Sequence, residues 1–293
     1  NASAISNEGI EFEAQYDVIR KKNWNWSVGF NLSHNKNMLR KTYNGEDLND
    51  KVLGRPVYGI YTFKDEGIVQ KEEDIPMYLN ASGKQIPLYF QSINNPLRVG
   101  GRKIKDQNYD GVIDDKDLYY AGSTLPAVYG GLNSHLEWKG LSFDVLFSYT
   151  ISRKVMNMYK NSAFTFTKDF GVIMNYFHAG DFWTTSNRDA KYPSLEFADK
   201  DYVGQFDGNV DSNIENISFL RLKQLVIGYQ IPKNWLKGSF IKDANVYLSG
   251  ENLFLLTNYS GVDPEIINPY SGKDDGTQYP LNRKVTLGLN LKF

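Results

Sequence analysis

Apolar and polar residues alternate along several stretches of the chain, and residues 283–293 show the pattern most clearly. Successive side chains of a β-strand point to opposite faces, so this stretch is predicted to form a strand with one apolar and one polar face. About ten residues in this alternation are enough for a tilted transmembrane strand to cross a bilayer. A half-buried strand of a soluble sheet has the same pattern, so the choice depends on the rest of the chain.

Three further segments alternate in the same way, and each is predicted to form a hairpin with a short turn. Long stretches with little periodicity separate these hairpins, and such stretches are uncommon in compact soluble domains. Short turns on one side and long loops on the other are typical of outer-membrane β-barrels. The hairpins comprise residues 10–33, 132–150 and 224–251; the long stretches comprise residues 35–127, 153–216 (rich in aromatic residues) and 258–282.

The predicted fold is therefore an all-β, antiparallel transmembrane β-barrel with long extracellular loops. About seven main strands can be counted, whereas a complete bacterial barrel normally has an even number. We therefore expect the chain to be the C-terminal part of a larger barrel, with its first strand pairing with chain that is absent from this sequence. Tryptophans near the short turns are expected at the membrane interface. The residues predicted to face the membrane are Phe12, Trp24, Trp26, Phe143, Phe147, Leu287 and Leu289.

Composition narrows the functional classes. The net charge of −1 gives no indication of nucleic-acid binding. The mean hydropathy of −0.48 does not rule out a barrel, because lumen-facing polar residues lower this value. No apolar run approaches the roughly 20 residues of a membrane helix. Aromatic residues make up 14% of the chain, as interfacial girdles require, and the absence of cysteine excludes disulfide and thiolate chemistry.

One acidic stretch, residues 106–117, has the spacing of an EF-hand-type calcium loop. Its twelfth residue is an aspartate instead of the longer bidentate glutamate, and no amphipathic helix precedes it. The alternative is an Asx/glycine turn cluster without an ion. The predicted ligands of a structural Ca²⁺ ion are Asp106, Asn108, Asp110, Val112 (through its backbone carbonyl), Asp114 and Asp117.

Five stretches carry a family resemblance: NEGIEFEAQYDVI, DQNYDGVIDDKDLYYAGSTLPAVYGGLN, FLRLKQLVIGYQIPKNWL, NVYLSGENLFLLTNYSGVDPEI and TLGLNLKF. Together they resemble the C-terminal barrel region of TonB-dependent outer-membrane transporters of the SusC/RagA kind, from Bacteroidetes. The resemblance covers essentially the whole chain. It implies a barrel of roughly 22 strands around a plug, energised by the TonB complex and covered by a SusD-like surface lipoprotein. The plug and the earlier strands are absent from this sequence.

The resemblance also implies that Phe293 acts as the assembly signal read by the barrel-assembly machinery, as in outer-membrane proteins generally. No catalytic motif is present, and the three histidines lack metal-ligand spacing, so no enzymatic activity is predicted. The predicted function is part of a nutrient importer for oligosaccharides or peptides in the outer membrane of a Gram-negative cell. Two alternatives are a small complete porin-like or enzymatic barrel and a soluble calcium-dependent carbohydrate-binding β-protein.

Overall fold

The computed structural model describes residues 3–47, 51–158, 178–198 and 209–293. In chain order the strands are β1 Ser3–Lys21, β2 Trp24–Thr42, β3 Gly59–Thr62, β4 Asp65–Ile68, β5 Met77–Leu79, β6 Gln85–Pro87, β7 Tyr89–Phe90, β8 Arg102–Ile104, β9 Val112–Ile113, β10 Tyr119–Ser123, β11 Val128–Trp138, β12 Leu141–Asn157, β13 Ile214–Gln230, β14 Asp243–Thr257, β15 Lys273–Asp274 and β16 Lys284–Lys292. Short 3-10 helices in these ranges comprise Glu72–Asp74, Asp115–Asp117, Ala179–Asp181, Leu195–Ala198, Asp211–Asn213 and Lys233–Leu236. No helix in the described ranges is long and apolar enough to span a bilayer.

Seven long strands form one sheet in the order β1-β2-β11-β12-β13-β14-β16, and β15 is attached to β12. Neighbouring long strands are antiparallel, and the predicted number of main strands is confirmed. β1 and β2 contain 19 residues each, a length of about 60 Å that exceeds the hydrocarbon core of a bilayer. β2 ends at Thr42 and β12 at Asn157, later than the predicted loop starts at residues 35 and 153, because strand pairing continues where strict alternation stops.

The register of the sheet places the apolar residues of successive strands on one face. Phe30 pairs with Leu132, Leu132 with Phe147, Phe147 with Leu222, and Leu222 with Phe254. Directly paired residues of antiparallel strands lie on the same face. The alternation in the separate hairpins therefore adds up to one continuous apolar face and one continuous polar face.

A tight turn joins β11 to β12. Lys139 and Gly140 have φ angles of 48° and 89°, and Trp138 pairs with Leu141 directly beyond them. Two consecutive positive φ angles are typical of a two-residue type I′ hairpin, whose twist matches that of the flanking strands. The short turn predicted for the second hairpin, residues 132–150, is therefore present.

The first long loop folds into a unit of its own, which we call the loop body (residues 51–127). It contains the two-stranded pairs β3–β10, β4–β8, β5–β6 and β7–β9. Val210, from the loop before β13, completes its core, and Phe63 bridges to this residue. The buried core residues are Val69, Ile75, Leu88, Phe90, Leu97, Ile104, Ile113 and Val210.

Candidate functional site

The residues predicted to face the membrane lie together on the apolar face of the sheet. Trp26, Phe143 and Leu287 belong to one row of directly paired residues that runs from β2 to β16. Phe12 is 55% exposed and Leu287 is 76% exposed, a degree of apolar exposure that soluble monomers rarely show over a large patch. Contact of this face with lipid stays a prediction. None of its predicted members is buried: Phe12, Trp24, Trp26, Phe143, Phe147, Leu287 and Leu289.

A serine on the apolar face has its hydrogen bond within that face. Ser134 lies between Leu132 and Leu136 on the apolar side of β11, and Trp26 Nε1 donates to Ser134 Oγ over 3.0 Å. In hydrocarbon an unpaired hydroxyl or indole N–H would cost several kcal/mol. The bond therefore makes both residues compatible with an apolar environment.

Tryptophans lie at the short-turn ends of the strands. Trp24 and Trp138 are directly paired, and their ring centroids are 6.1 Å apart. Lys139 Nζ lies 5.5 Å from the centroid of the Trp138 ring, within cation–π range. Trp235, in the turn between β13 and β14, is 74% exposed. The apolar face thus continues to the turns, where basic residues begin.

Loop residues cover the polar face at its other end. Asn37 Oδ1 accepts a hydrogen bond from the backbone N–H of Val57 at 3.0 Å. The neighbouring position on the same side of β2, Leu39, is buried, and its backbone N–H donates to the carbonyl of Arg55 at 2.9 Å. The loop body therefore lies against the polar side of the sheet.

A buried ion-pair cluster fixes the third loop to β13. Arg221 Nη2 lies 2.5 Å from Asp263 Oδ1, and Arg221 Nε contacts Glu265. Lys223 Nζ lies 2.7 Å from Glu265 Oε1. The side chains of Arg221 and Asp263 are each 3% exposed, so each buried charge depends on the other for compensation. Sequence reasoning missed this cluster, because Arg221 precedes the predicted hairpin 224–251 and its two acidic partners lie in the predicted loop 258–282.

Arg153 makes a second buried anchor, which was also missed. Its Nε donates to the carbonyl of Thr124 at 3.0 Å. Its Nη1 donates to the carbonyl of Pro264, and its Nη2 to that of Ile267, both at 3.4 Å. The guanidinium group therefore connects β12 to the first and third loops, and its donors are used by backbone carbonyls.

A cleft of about 460 Å³ opens where the loops meet the polar face. Its charged members, Arg153 and Glu265, are engaged in the anchors described above. Among the described residues, the side chain of Asn35 and the hydroxyls of Tyr58 and Tyr129 form no hydrogen bonds, so they are available to a ligand. Amide and phenol groups beside aromatic rings suit a neutral polar ligand. The lining residues are Asn7, Asn35, Asn37, Tyr58, Thr124, Leu125, Pro126, Tyr129, Thr150, Arg153, Phe219, Glu265 and Pro269.

The acidic loop is closed around Asp106. This buried carboxylate accepts hydrogen bonds from the backbone N–H groups of Tyr109 at 2.7 Å and Gly111 at 2.8 Å. Gly111 has a φ of 83°, and a Cβ there would lie 3.0 Å from the Tyr78 ring. Glycine is therefore required both by the backbone and by the neighbouring ring. Burial, together with a hydrogen bond to Asp106, raises the pKa of Tyr78 to about 12.

Asp117 closes the other end of the acidic loop. Its carboxylate accepts hydrogen bonds from the N–H groups of Gln107 at 2.8 Å and Asp114 at 2.9 Å. Burial raises the pKa of Asp117, although these N–H groups oppose the shift. No group of three or more His, Cys, Asp or Glu side chains in the described ranges is placed to hold a metal. Backbone N–H groups occupy the oxygens of Asp106 and Asp117, and calcium binding stays a prediction.

The aromatic-rich second loop is described only in part, and its residues 159–177 lie outside the described ranges. Phe182 and Trp183 are buried, at 4% and 7% exposure. Trp183 Nε1 donates to Gln70 Oε1 at 3.0 Å, and the rings of Phe182 and Tyr192 are 5.7 Å apart. These two aromatic residues therefore contribute to packing instead of forming an open ligand surface.

His135 belongs to a small cluster that its sequence spacing did not reveal. It pairs directly with Asp144 across β11 and β12, and its Nδ1 lies 2.5 Å from Asp144 Oδ1. Its Nε2 lies 3.5 Å from Glu137 Oε1. Cross-strand pairing brings these residues together on the polar face, which distance along the chain does not show.

Phe293, the predicted assembly signal, is 62% exposed. Its ring stacks on Phe240 with a centroid distance of 5.5 Å, and Lys242 Nζ donates to its backbone oxygen at 3.2 Å. Phe293 is thus held beside the turn between β13 and β14. Its role in assembly stays a prediction.

Curated relatives match the whole chain. It is 30% identical over 306 residues to TonB-dependent receptor P26 of Formosa agariphila, covering 100% of this chain and 30% of that protein. It is 26% identical over 297 residues to TonB-dependent receptor SusC of Bacteroides thetaiotaomicron, covering 100% and 27%. The chain therefore spans about 30% of the length of the curated relatives named here. No family model matches it.

Solved structures share the fold. The structure of the RagAB peptide transporter superposes with a TM-score of 0.71 at 23% identity, covering 99% of this chain and 30% of that chain. The RagAB peptide importer in the "open-open" state gives a TM-score of 0.66 at 23% identity, covering 99% and 29%. At this level of identity the likeness concerns the fold alone.

The matches to curated TonB-dependent receptors, together with the two-faced antiparallel sheet, define a class, namely part of the β-barrel of a TonB-dependent receptor. The predicted fold class, an all-β antiparallel barrel portion with long loops, is confirmed. The resemblance to the SusC/RagA kind of TonB-dependent receptor is confirmed as well, since curated TonB-dependent receptors, SusC among them, match the whole length of this chain. The relatives are receptors and transporters.

Proposed function

We propose that this chain is a wall segment of an outer-membrane importer that takes up oligosaccharides or peptides together with a SusD-like surface lipoprotein. The observation that carries the proposal is the continuous apolar face opposite a continuous polar face, on a chain that matches TonB-dependent receptors over its full length. Water-filled barrels need this division, because lipid lies on one side of the wall and the passage on the other.

The proposal assigns a role to each part of the chain. The apolar face contacts lipid, the long-loop end meets the lipoprotein, and Phe293 is read by the barrel-assembly machinery. The plug and the TonB complex, which supplies the energy, act on the whole transporter. The acidic loop stiffens the loop body, with Ca²⁺ as a proposed structural ion.

We further propose that the cleft contacts passing cargo. Its accessible groups are amides, phenols and aromatic rings, while its two charged side chains, Arg153 and Glu265, already have partners within the protein. Such a surface can hold neutral polar molecules without retaining them too tightly to be released.

Deletion of the full-length gene tests the transport proposal. We expect loss of uptake of labelled oligosaccharides or of labelled peptides, with recovery on complementation. Normal uptake of both in the deletion strain would contradict it. Fractionation separates the alternatives, because recovery of the full-length protein in the aqueous fraction without detergent would favour the soluble carbohydrate-binding protein.

Variants of the cleft test the cargo contact. Tyr58→Ala combined with Tyr129→Ala should lower the uptake rate about two- to tenfold, which is the effect expected when aromatic contacts with the cargo are lost. Tyr279→Ala is the matched control, since Tyr279 is 92% exposed and lies outside the cleft. If the double variant and the Tyr279→Ala control lowered uptake equally, or if neither lowered it, the cleft would not lie on the transport path.

A further inference from the structure

The strand ends opposite the long loops form a continuous edge. The backbone N–H of Lys139 donates to the carbonyl of Asn23 at 3.1 Å, which joins the first two turns. Gln230 N–H donates to a carbonyl of the second turn at 2.8 Å, and Lys242 N–H donates to the carbonyl of Lys292 at 2.7 Å. The turns are therefore neighbours in space. We call this edge the short-turn rim, and it comprises residues 17–25, 137–142, 230–243 and 290–293.

The short-turn rim is strongly basic. It contains eight basic and three acidic residues, although the whole chain has a net charge of −1. Of the eight, Arg20 alone lies within ion-pair distance of a side-chain carboxylate in the described ranges, 3.7 Å from Asp17. Lys242 Nζ donates to the backbone oxygen of Phe293. The positive charge is thus largely uncompensated. The basic residues, all exposed, are Arg20, Lys21, Lys22, Lys139, Lys233, Lys237, Lys242 and Lys292.

Large aromatic side chains occupy the same rim. Trp24 and Trp138 end the apolar face, and Trp235, Phe240 and Phe293 are each more than 60% exposed. Aromatic residues beside the hydrocarbon and basic residues just beyond it match the order of groups in a lipid leaflet, where phosphates lie above the acyl chains. Solvation of strand ends explains isolated lysines, but not their concentration beside these rings.

We propose that the short-turn rim binds the anionic headgroups of phospholipids in the leaflet that it enters. This inference rests on the membrane placement in the proposed function. Lysine side chains are flexible point charges, so the rim attracts phosphate without a shaped pocket. The aromatic rings fix the depth of the rim in the leaflet, which keeps the lysines at headgroup level.

The test uses the full-length transporter in detergent micelles and compares binding of phosphatidylglycerol with that of phosphatidylcholine. The rim variant should bind phosphatidylglycerol at least about tenfold more weakly than wild type, because each basic residue near an anionic surface adds to the attraction. The control variant removes the same number of exposed lysines elsewhere and should bind like wild type. The rim variant carries Lys→Gln at Lys21, Lys22, Lys233 and Lys237; the control carries Lys→Gln at Lys36, Lys41, Lys84 and Lys273.

Equal binding of the two lipids, or unchanged binding in the rim variant, would overturn the proposal. Equal weakening in the control would also overturn it, since total charge would then be the cause. Displacement of the lipid by millimolar inorganic phosphate would show a free-anion site instead. If the four-residue variant does not fold, Lys21→Gln with Lys233→Gln should give a smaller loss in the same direction.

Uptake assays on the same variants keep the two proposals apart. If the protein prefers phosphatidylglycerol but transports nothing, the lipid-binding proposal stands and the importer proposal fails. If it transports cargo but shows no lipid preference, the importer proposal stands and the lipid-binding proposal fails.

Discussion

The sheet and the loop body solve the problem of apolar side chains in opposite ways. On the sheet, Leu287 and Leu289 of β16 are 76% and 57% exposed. No second layer of the described residues covers these two side chains. In the loop body, Leu88 and Val69 are 0% and 1% exposed within a core of their own. The loop body therefore buries its apolar side chains within the protein, whereas the apolar face of the sheet needs an apolar environment outside it.

The two regions therefore draw their stability from different sources. Burial of its apolar side chains in the core that Val210 completes stabilises the loop body in water. The apolar face of the sheet gains comparable free energy only when something apolar covers it. Changes at the attachment of the third loop, in the sheet and in the loop body should consequently differ in the size of their effect on stability and in how that effect depends on the surroundings.

The largest effect is expected where the ion-pair cluster fixes the third loop to the sheet. Arg221→Ala leaves Asp263 as a buried carboxylate without its guanidinium partner and leaves Glu265 paired with Lys223 alone, which should cost about 3–5 kcal/mol of unfolding free energy. Denaturant unfolding of the full-length protein would measure the loss. Arg283→Ala, at an exposed position, should change stability by less than about 0.5 kcal/mol. Equal losses in both variants would show that the cluster does not hold the loop.

An intermediate effect is expected in the sheet, and it should depend on lipid. Leu289→Arg places a charge on the apolar face and should cost about 2–4 kcal/mol when the full-length protein unfolds from lipid vesicles. Asn290→Arg, one residue further on the polar face, should cost much less. A similar cost at both positions would contradict the assignment of the faces.

A smaller effect is expected in the loop body. Asp117→Asn removes an acceptor from the backbone N–H groups of Gln107 and Asp114 and should cost about 1–3 kcal/mol of local stability. Hydrogen exchange of residues 106–117 would measure it. If backbone bonds alone close the loop, a chelator should not change wild-type exchange. Calorimetric titration of wild type and Asp110→Ala with calcium tests whether the loop binds the ion. If wild type gives no heat of binding, the loop is not a calcium site.

The alternation of residues was sufficient to predict the two faces of the sheet. The two-residue period of a strand assigns each residue to a face from its neighbours in sequence alone. Residues such as Phe143 and Leu287 could be assigned to one face from parity alone, and the register agrees. The cleft and its anchors could not be predicted. Arg153 and Arg221 gain their partners from loops that are distant in sequence, and nothing in the local pattern specifies where a loop returns.

The same reasoning applies to the acidic loop. Its spacing indicates which residues turn inward, and Asp106 and Asp117 are indeed buried. Spacing does not determine whether their oxygens meet an ion or backbone N–H groups, since both need the same glycine at position 111.

The anchor at Arg153 has a consequence for motion. One guanidinium group connects the strand to carbonyls at residues 124, 264 and 267, which belong to two separate loops. Displacing either loop strips hydrogen bonds from a buried cation, so the two are mechanically coupled and should swing as one piece or stay still together. A lid that pushed on one of them would thereby reposition the other.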